Sequence, residues 1–491
     1  MRTNFTVVKS IPAGVAAVAI PVASEGAVPK EVGLTRAQLS TMGFDGKACQ
    51  TLTLPPAGNA KNVRVLVGVG AVKDLNEATL RNVGAAAARA CSKYPSMATT
   101  LVGVGRVDAA AAAKVVVEGM ALALHRWVDL KKDKSSIAAL TKVTLVTDAL
   151  AAVKNGVAQG VATSTAVCTA RDFANTPPSH LTATQFANAA VAIAKKSGLR
   201  ATVYDRKQLI AMGCGGLVGV NAGSVEPPRM VKLVWAPAGA KNKVVLVGKG
   251  VMYDSGGISL KPSDAMHASM KMDMSGAAAV LGAMGALKAL NVKTHVTAYL
   301  MCTDNLPSGS AMKLGDVLTM RNGKTVEIHN TDAEGRLILA DGLSLGAESK
   351  PDAMVDIATL TGACLGALGK KMAGVIGNDS GVIEQLKESS ARTDELLWEM
   401  PYFKDYRKLL DSTVADMKNV GGPYAGVTTS SLFLGEFAGA TPWAHLDIAG
   451  PMDAEGDDGW LNRGATAFGT RLLIDFVANF TPVRKTPAKK K

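Results

Sequence analysis

The chain of 491 residues is predicted to be an α/β protein of two domains, each a mostly parallel or mixed sheet flanked by helices, the first smaller than the second. Three observations lead there. At roughly 150 residues per domain, the length suits two or three domains. Hydrophobic residues make up 48% and charged residues 19%, a globular profile that excludes wholesale disorder. Short apolar runs bounded by glycine alternate with Ala-rich stretches of helical length, as when strands feed crossover helices. Aromatic residues are only 4% while glycines number 50, so the core must rest on closely packed Val, Ala, Leu and Met.

Taken in order, Val63–Val69 is a near-continuous apolar run, expected of a strand buried on both faces. A helix is predicted over Glu77–Lys93, a strand over Thr100–Val104 and a helix over Ala109–Ala123. Gly68 and Gly70 form a GxG at the end of this run, but Lys73 stands where a dinucleotide fingerprint needs its third glycine, so these read as turn glycines. The first domain is placed at 1–150. A connecting helix and linker occupy 151–180, where the tract Asn175-Thr-Pro-Pro-Ser179 cannot continue a helix. The larger domain is placed at 181–480. Its predicted strands are Val231–Trp235, Lys243–Val247, Thr294–Met301, Ala353–Ile357 and His445–Ile448, with helices over Ser275–Leu290, Ala333–Glu348 and Ile383–Leu397. A basic tail closes the chain at 481–491.

A long uncharged stretch, Gln208–Val225, carries five glycines with Asn221 and Ser224, which a lipid-facing helix rarely accepts, so no membrane span is expected. Pro12, Gly14 and Pro21 interrupt any signal-peptide core. The six scattered cysteines form no CxxC pair, which favours a reducing compartment. Cytoplasm is the expected location, with a mitochondrion as the alternative. The formal net charge is +13, and five positive charges lie in the last eleven residues. A solvated tail accounts for this. An additional nucleic-acid-binding role through the basic surface and tail is the alternative, and phosphate contacts would make it salt-sensitive.

In open α/β sheets, ligands gather at the carboxyl ends of strands. There, Lys249, Asp254, Lys261 and Asp273 follow one apolar run, while Asp332, Glu334 and Arg336 open a later helix. Singly, each has a bland explanation as an N-cap, a helix-dipole partner or surface charge. Together, carboxylates with almost no histidine point to divalent ions held by oxygen, and four acids exceed the need of one ion. Lys249, Lys261 and Arg336 would offset that charge or hold an oxyanion. A GxSxG string, Gly342 to Gly346, falls inside a predicted helix rather than at a nucleophile elbow. His125, His180, His267, His295 and His329 lack metal-ligand spacing, and Cys364 has no histidine partner.

These residues sit in strings that resemble the leucyl aminopeptidase, or cytosol aminopeptidase, family of dinuclear metallo-exopeptidases. NTDAEGRL at Asn330–Leu337 is its signature, joined by VGKGVMYDSGGISLKP (Val247–Pro262), PSGSAMKLGDVLT (Pro307–Thr319) and ATLTGAC (Ala358–Cys364). HLDIAGPM (His445–Met452) and GATAFGTRLL (Gly464–Leu473) extend the match across residues 165–480, while the N-terminal third matches in layout alone.

The resemblance implies two divalent ions, Zn or Mn, with Co or Mg also suited to the exchangeable site. Lys249, Asp254, Asp273 and Glu334 would hold the tighter ion, and Asp254, Asp332 and Glu334 the looser one. A lysine ligand must be neutral, which costs roughly 4.6 kcal/mol at pH 7. Lys261 would stabilise the oxyanion, and Arg336 would hold a bicarbonate as general base. Asp273 would also receive the substrate amine, and the Leu360 backbone would orient the peptide. Met270, Thr359, Gly362, Ala449 and Met452 would line a pocket for an apolar first residue, preferably Leu, with broad specificity. Short peptides are the implied substrates and a homohexamer the implied assembly, with the N-terminal domain serving oligomerisation or gating. Two departures stand out. The Ser263–Ser269 loop is one residue longer than the family spacing, which puts the placement of Lys261 in question, and Ser275 replaces a common glycine.

Overall fold

The computed structural model describes residues 2–58 and 61–482, so the basic tail beyond Pro482 lies outside the described residues. The chain divides into two compact units, Met1–Cys168 with Ala454–Gly464, and Thr169–Asp453 with Ala465–Lys491. One helix, Leu150–Asn175, carries the chain from the first unit to the second. The family of secondary structures is the mixed α/β arrangement expected from the sequence.

In the first unit the strands are β1 (Asn4–Val8), β2 (Ala17–Ala23), β3 (Thr51–Leu54), β4 (Val63–Gly70), β5 (Ser96–Thr99) and β6 (Lys142–Val146), in the spatial order β1-β6-β5-β2-β4-β3. All neighbours are parallel except the β3–β4 edge pair. Pro21 lies within β2 opposite Val67, and β5 pairs only as far as Ala19. Beyond Ala19 that side of β2 has no partner strand among the described residues, so proline's missing N–H need not break the ladder. The helices Glu77–Ala90 and Ala109–Leu124 bury their Val, Leu and Ala residues with β4 and β6 in one core, and Leu39 and Phe44 fill a second.

The strand expected over Thr100–Val104 is displaced. β5 ends at Thr99, and Leu101–Gly103 is a single 3-10 turn. Met97 pairs with Val143 on one side and Ala17 on the other, so sheet pairing selects the earlier residues, and Gly103 and Gly105 belong to the exit.

In the second unit the strands are β7 (Arg200–Tyr204), β8 (Arg229–Trp235), β9 (Lys243–Asp254), β10 (His295–Asn305), β11 (Val317–Thr319), β12 (Thr325–Glu327), β13 (Ala353–Ala358), β14 (Ala373–Gly377), β15 (Leu397–Glu399), β16 (Met417–Lys418) and β17 (Trp443–Asp447). Eight of them form a sheet ordered β15-β14-β17-β13-β9-β10-β8-β7, while β11, β12 and β16 make a small sheet of their own. The centre, from β17 through β10, is parallel. Helices Ser275–Ala286 and Gly335–Glu348 both pack on β9, one on each face. The helix predicted over Ile383–Leu397 spans Ser380–Thr393 instead. Asp394 adopts φ +59° and stops it, freeing Leu397 for β15. Gln208–Val225 forms two short helices, and no helix among the described residues is long and apolar enough to cross a membrane.

Candidate active site

The strand predicted to end at Val247 runs on to Asp254, so Lys249 and Asp254 are both strand residues. They lie five positions apart and would face opposite sides of a regular strand. Register against β10 resolves this. Thr303 pairs with Val251 and Asn305 with Asp254, so two steps on β10 span three on β9. This bulge turns both side chains toward the same side.

Lys249 Nζ lies 2.8 Å from Asp273 Oδ2 and 2.8 Å from Glu334 Oε1, and donates to the Thr359 carbonyl at 2.8 Å. Lys261 Nζ is 2.9 Å from Asp254 Oδ2 and contacts Asp332 Oδ1. Oxygens of Asp254, Asp332 and Glu334 converge within 4.8 Å of one another. Five expected metal ligands and Lys261 therefore occupy one cluster. Asp273 sits just before the helix Ser275–Ala286, and Glu334 caps the start of Gly335–Glu348, where the helix dipole favours an acid. Gly335 leaves room for the Lys249 side chain, since a Cβ there would meet Lys249 Cε at 2.8 Å and push it aside. Gly256, at φ +88°, lets the loop after β9 pass Asp332 Oδ1 where a Cβ would come to 2.9 Å.

Burial raises the Glu334 carboxyl to about 7, helped by Asp254 and opposed by Lys249. Burial raises Asp273 and Asp332 as well, with Asp254 adding to both. Burial alone would lower Lys249, but Asp273, Glu334 and Asp254 hold its ammonium above the ordinary range. Asp273 Oδ2, Glu334 Oε1 and Asp332 Oδ1 are buried and have the Lys249 and Lys261 ammonium groups as their partners. Four carboxylates converging with two lysines, their buried charge balanced only in part by the two ammonium groups, are an oxygen-rich donor set that fits hard or borderline divalent cations. In that state Lys249 would serve as a neutral amine ligand.

Arg336 follows on the same helix, buried, with its Nη1 donating to the Asn419 carbonyl at 2.8 Å while Nε has no partner among the described residues. Thr359 donates to Asp273 Oδ1 at 2.6 Å, which joins the expected pocket wall to the cluster. Leu360 and Ala449 meet through Asp447 Oδ1, at 3.2 Å each. Gly362 opens the helix Gly362–Leu368; Met270 lies three residues before Asp273, and Met452 is half-buried. The longer Ser263–Ser269 loop folds as the short helix Ala265–Ser269, capped by Asp264, and Ser275 is buried and donates to the Met272 carbonyl at 2.6 Å.

Sequence reasoning missed the residues that brace this cluster. Asn305 Nδ2 donates to Asp254 Oδ1 at 2.8 Å and to the Thr331 carbonyl at 3.0 Å. Asn419 Oδ1 accepts from the His329 and Asn330 amides at 2.9 and 3.3 Å, and its Nδ2 donates to the Asn330 carbonyl at 2.6 Å. Neither asparagine stands in a spacing that marks chemistry. Ser344 donates to the Ala340 carbonyl at 2.7 Å within its helix, as expected of a structural serine. Burial pushes the Cys364 thiol up to about 12, away from reactivity.

An open α/β sheet with an acid cluster beside its parallel strands is the setting of a divalent-cation site. Comparison with known proteins makes this specific. Residues 168–474 match the cytosol aminopeptidase family catalytic domain, and residues 19–134 match that family's N-terminal domain. The probable cytosol aminopeptidase of Alkaliphilus metalliredigens is 38% identical over 453 residues, 90% of each chain. That of Streptomyces avermitilis is 41% identical over 459 residues, 90% of this chain and 88% of the relative. The solved bottromycin maturation enzyme BotP in complex with Mn superposes with a TM-score of 0.88 at 35% identity, covering 95% of this chain and 99% of that one. The chain belongs to the cytosol aminopeptidase family and is a metal-dependent aminopeptidase acting on peptides.

Proposed function

We propose that the protein releases N-terminal Leu and other apolar residues from short peptides at a dinuclear centre. Lys249, Asp254, Asp273 and Glu334 hold one ion in this reading, and Asp254, Asp332 and Glu334 the other. The observation that carries it is the convergence of Asp254, Asp332 and Glu334 oxygens within 4.8 Å beside the Lys249–Asp273 pair. Zn or Mn suits these ligands, and the Mn in BotP favours the latter.

When bound, the divalent ions supply Lewis-acid polarisation of a carbonyl and make water nucleophilic near neutral pH. The protein's own groups do the rest. Burial would lower Lys261, but Asp254 and Asp332 keep its ammonium above the ordinary range, so it donates a hydrogen bond to the developing oxyanion. Burial brings the Arg336 guanidinium down to about 10, still charged at pH 7, and its unpartnered Nε suits a small anion. Bicarbonate held there would serve as general base. Asp273 receives the substrate amine, the Leu360 backbone orients the chain, and Met270, Thr359, Gly362, Ala449 and Met452 accept the first side chain. We further propose a homohexamer, assembled or gated through the N-terminal domain, in a cytoplasmic setting that keeps all six cysteines as free thiols.

Purified protein stripped with chelator and resupplied with Mn²⁺, Zn²⁺ or Co²⁺ tests the reading on a fluorogenic leucyl amide. Activity should vanish and return with metal, and Glu334→Ala should abolish it with the circular dichroism spectrum unchanged. Full activity in Glu334→Ala would sink the assigned chemistry.

A further inference from the structure

Asp447 ends β17 with its side chain fully buried, and it belongs neither to the acid cluster nor to any direct ion pair among the described residues. A buried carboxylate is expensive unless its oxygens are satisfied. Here Oδ1 accepts from the Leu360 and Ala449 amides at 3.2 Å each and from the Thr361 amide at 3.4 Å. Oδ2 accepts from the Thr361 hydroxyl at 2.7 Å. That hydroxyl in turn accepts from the Cys364 amide at 3.0 Å, in the first turn of Gly362–Leu368.

The donors come from two separate loops. β13 and β17 are parallel neighbours, with Ala358 opposite Asp447, so the chain leaves both strands at the same edge of the sheet. Residues 359–362 follow β13 and residues 449–452 follow β17. One carboxylate therefore clasps both loops, with Oδ1 on the three backbone amides and Oδ2 on the Thr361 hydroxyl. It also occupies the Leu360 N–H, so of that peptide's two polar groups the carbonyl is the one left for a substrate.

We propose that Asp447 is the positioning residue of the specificity pocket. It sets the spacing between the Thr359–Gly362 and Ala449–Met452 walls, and thereby how well the first side chain is discriminated. This rests on the aminopeptidase reading above. It differs from a purely structural role because it predicts which kinetic constant moves.

The test compares leucyl and alanyl amides on metal-loaded wild type, Asp447→Ala and Asp447→Asn, with metal content measured on each. Asp447→Ala should raise KM for the leucyl amide by about 10-fold or more, as loosened walls lose apolar contact. Its kcat should change by less than about 3-fold, since the interaction lost is uniform binding. The Leu-to-Ala ratio of kcat/KM should fall by about 5-fold or more, with metal content equal to wild type. Asp447→Asn keeps one oxygen for the amides and should recover most of the ratio. Should Asp447→Ala fail to fold, Thr361→Val removes the hydroxyl with its bonds to Asp447 Oδ2 and from the Cys364 amide, leaves the three backbone amides on Asp447 Oδ1, and should lower the ratio in the same direction. An unchanged ratio in the folded variants, with both substrates slowed equally, overturns the proposal and leaves the aminopeptidase reading standing. Wild type inactive on both amides with every metal overturns that reading, and this proposal with it.

Discussion

Asn305→Ala should weaken divalent-ion binding although Asn305 touches no ion in any reading of the site. Its carboxamide joins Asp254, at the end of β9, to the Thr331 carbonyl one residue before Asp332, by bonds of 2.8 and 3.0 Å. Both Asn305 and Asp254 are buried, so water does not replace a lost donor cheaply. The bond to an ionised carboxylate is worth about 1.5–3 kcal/mol, while Asp254 Oδ1 keeps the Gly256 amide at 2.9 Å. Groups that orient metal ligands in this way typically cost 10–100-fold in affinity when removed, and about 30-fold is the expectation here. The assay is a competition titration of chelator-stripped protein with Mn²⁺ against a fluorescent chelator, with thermal unfolding as a check on the fold. Affinity within twofold of wild type in a folded variant would show that Asp254 and the Thr331–Asp332 loop hold their positions unaided.

Ion uptake should release protons, because Glu334, Asp273 and Asp332 are raised by burial and Lys249 is held protonated by its acidic neighbours. Mn²⁺ affinity should therefore rise from pH 5.5 to pH 8, and calorimetry in buffers of different ionisation enthalpy should count the protons; none released at pH 6.5 would contradict these protonation states. In the ion-free protein the sign for folding is opposite. Glu334 binds its proton more tightly folded than unfolded, so its contribution to stability is full below pH 4.5 and is lost as pH rises through about 7. Gly335→Ala should displace Lys249, whose Cδ, Cε and Nζ all lie within 2.9 Å of the new Cβ, and cut activity by about 10-fold or more while the fold survives; wild-type kinetics would refute the crowding argument. Asp341→Asn should lower stability by about 1–3 kcal/mol in urea titration. Its two oxygens accept the Leu217 amide at 2.8 Å and the Arg321 amide at 2.9 Å, and an amide group must turn one donor against another. An unfolding midpoint equal to wild type would show that the carboxamide satisfies both.

The α/β class and the make-up of the acid cluster can be read from the order of residues alone. Apolar strands alternate with Ala-rich helices because each must bury a face on the other, and that pattern is local. The charged residues of the cluster interrupt those patterns, so Lys249, Asp254, Asp273, Asp332 and Glu334 were legible one by one and together in their motifs. How they meet is a property of the folded chain. The bulge that turns Asp254 toward the Lys249 side is a matter of register against β10, and β5 begins at Ser96 because its partners there are β2 and β6. Asn305, Asn419 and Asp447 were silent for the same reason. Their hydrogen bonds reach across tens of residues, from Asn305 to Asp254, from Asn419 to Asn330 and from Asp447 to Leu360, and a lone polar residue after a strand looks the same whether it faces solvent or clasps two loops. Ligand identity is written in side-chain chemistry, whereas ligand geometry is set by pairing between segments distant in the chain.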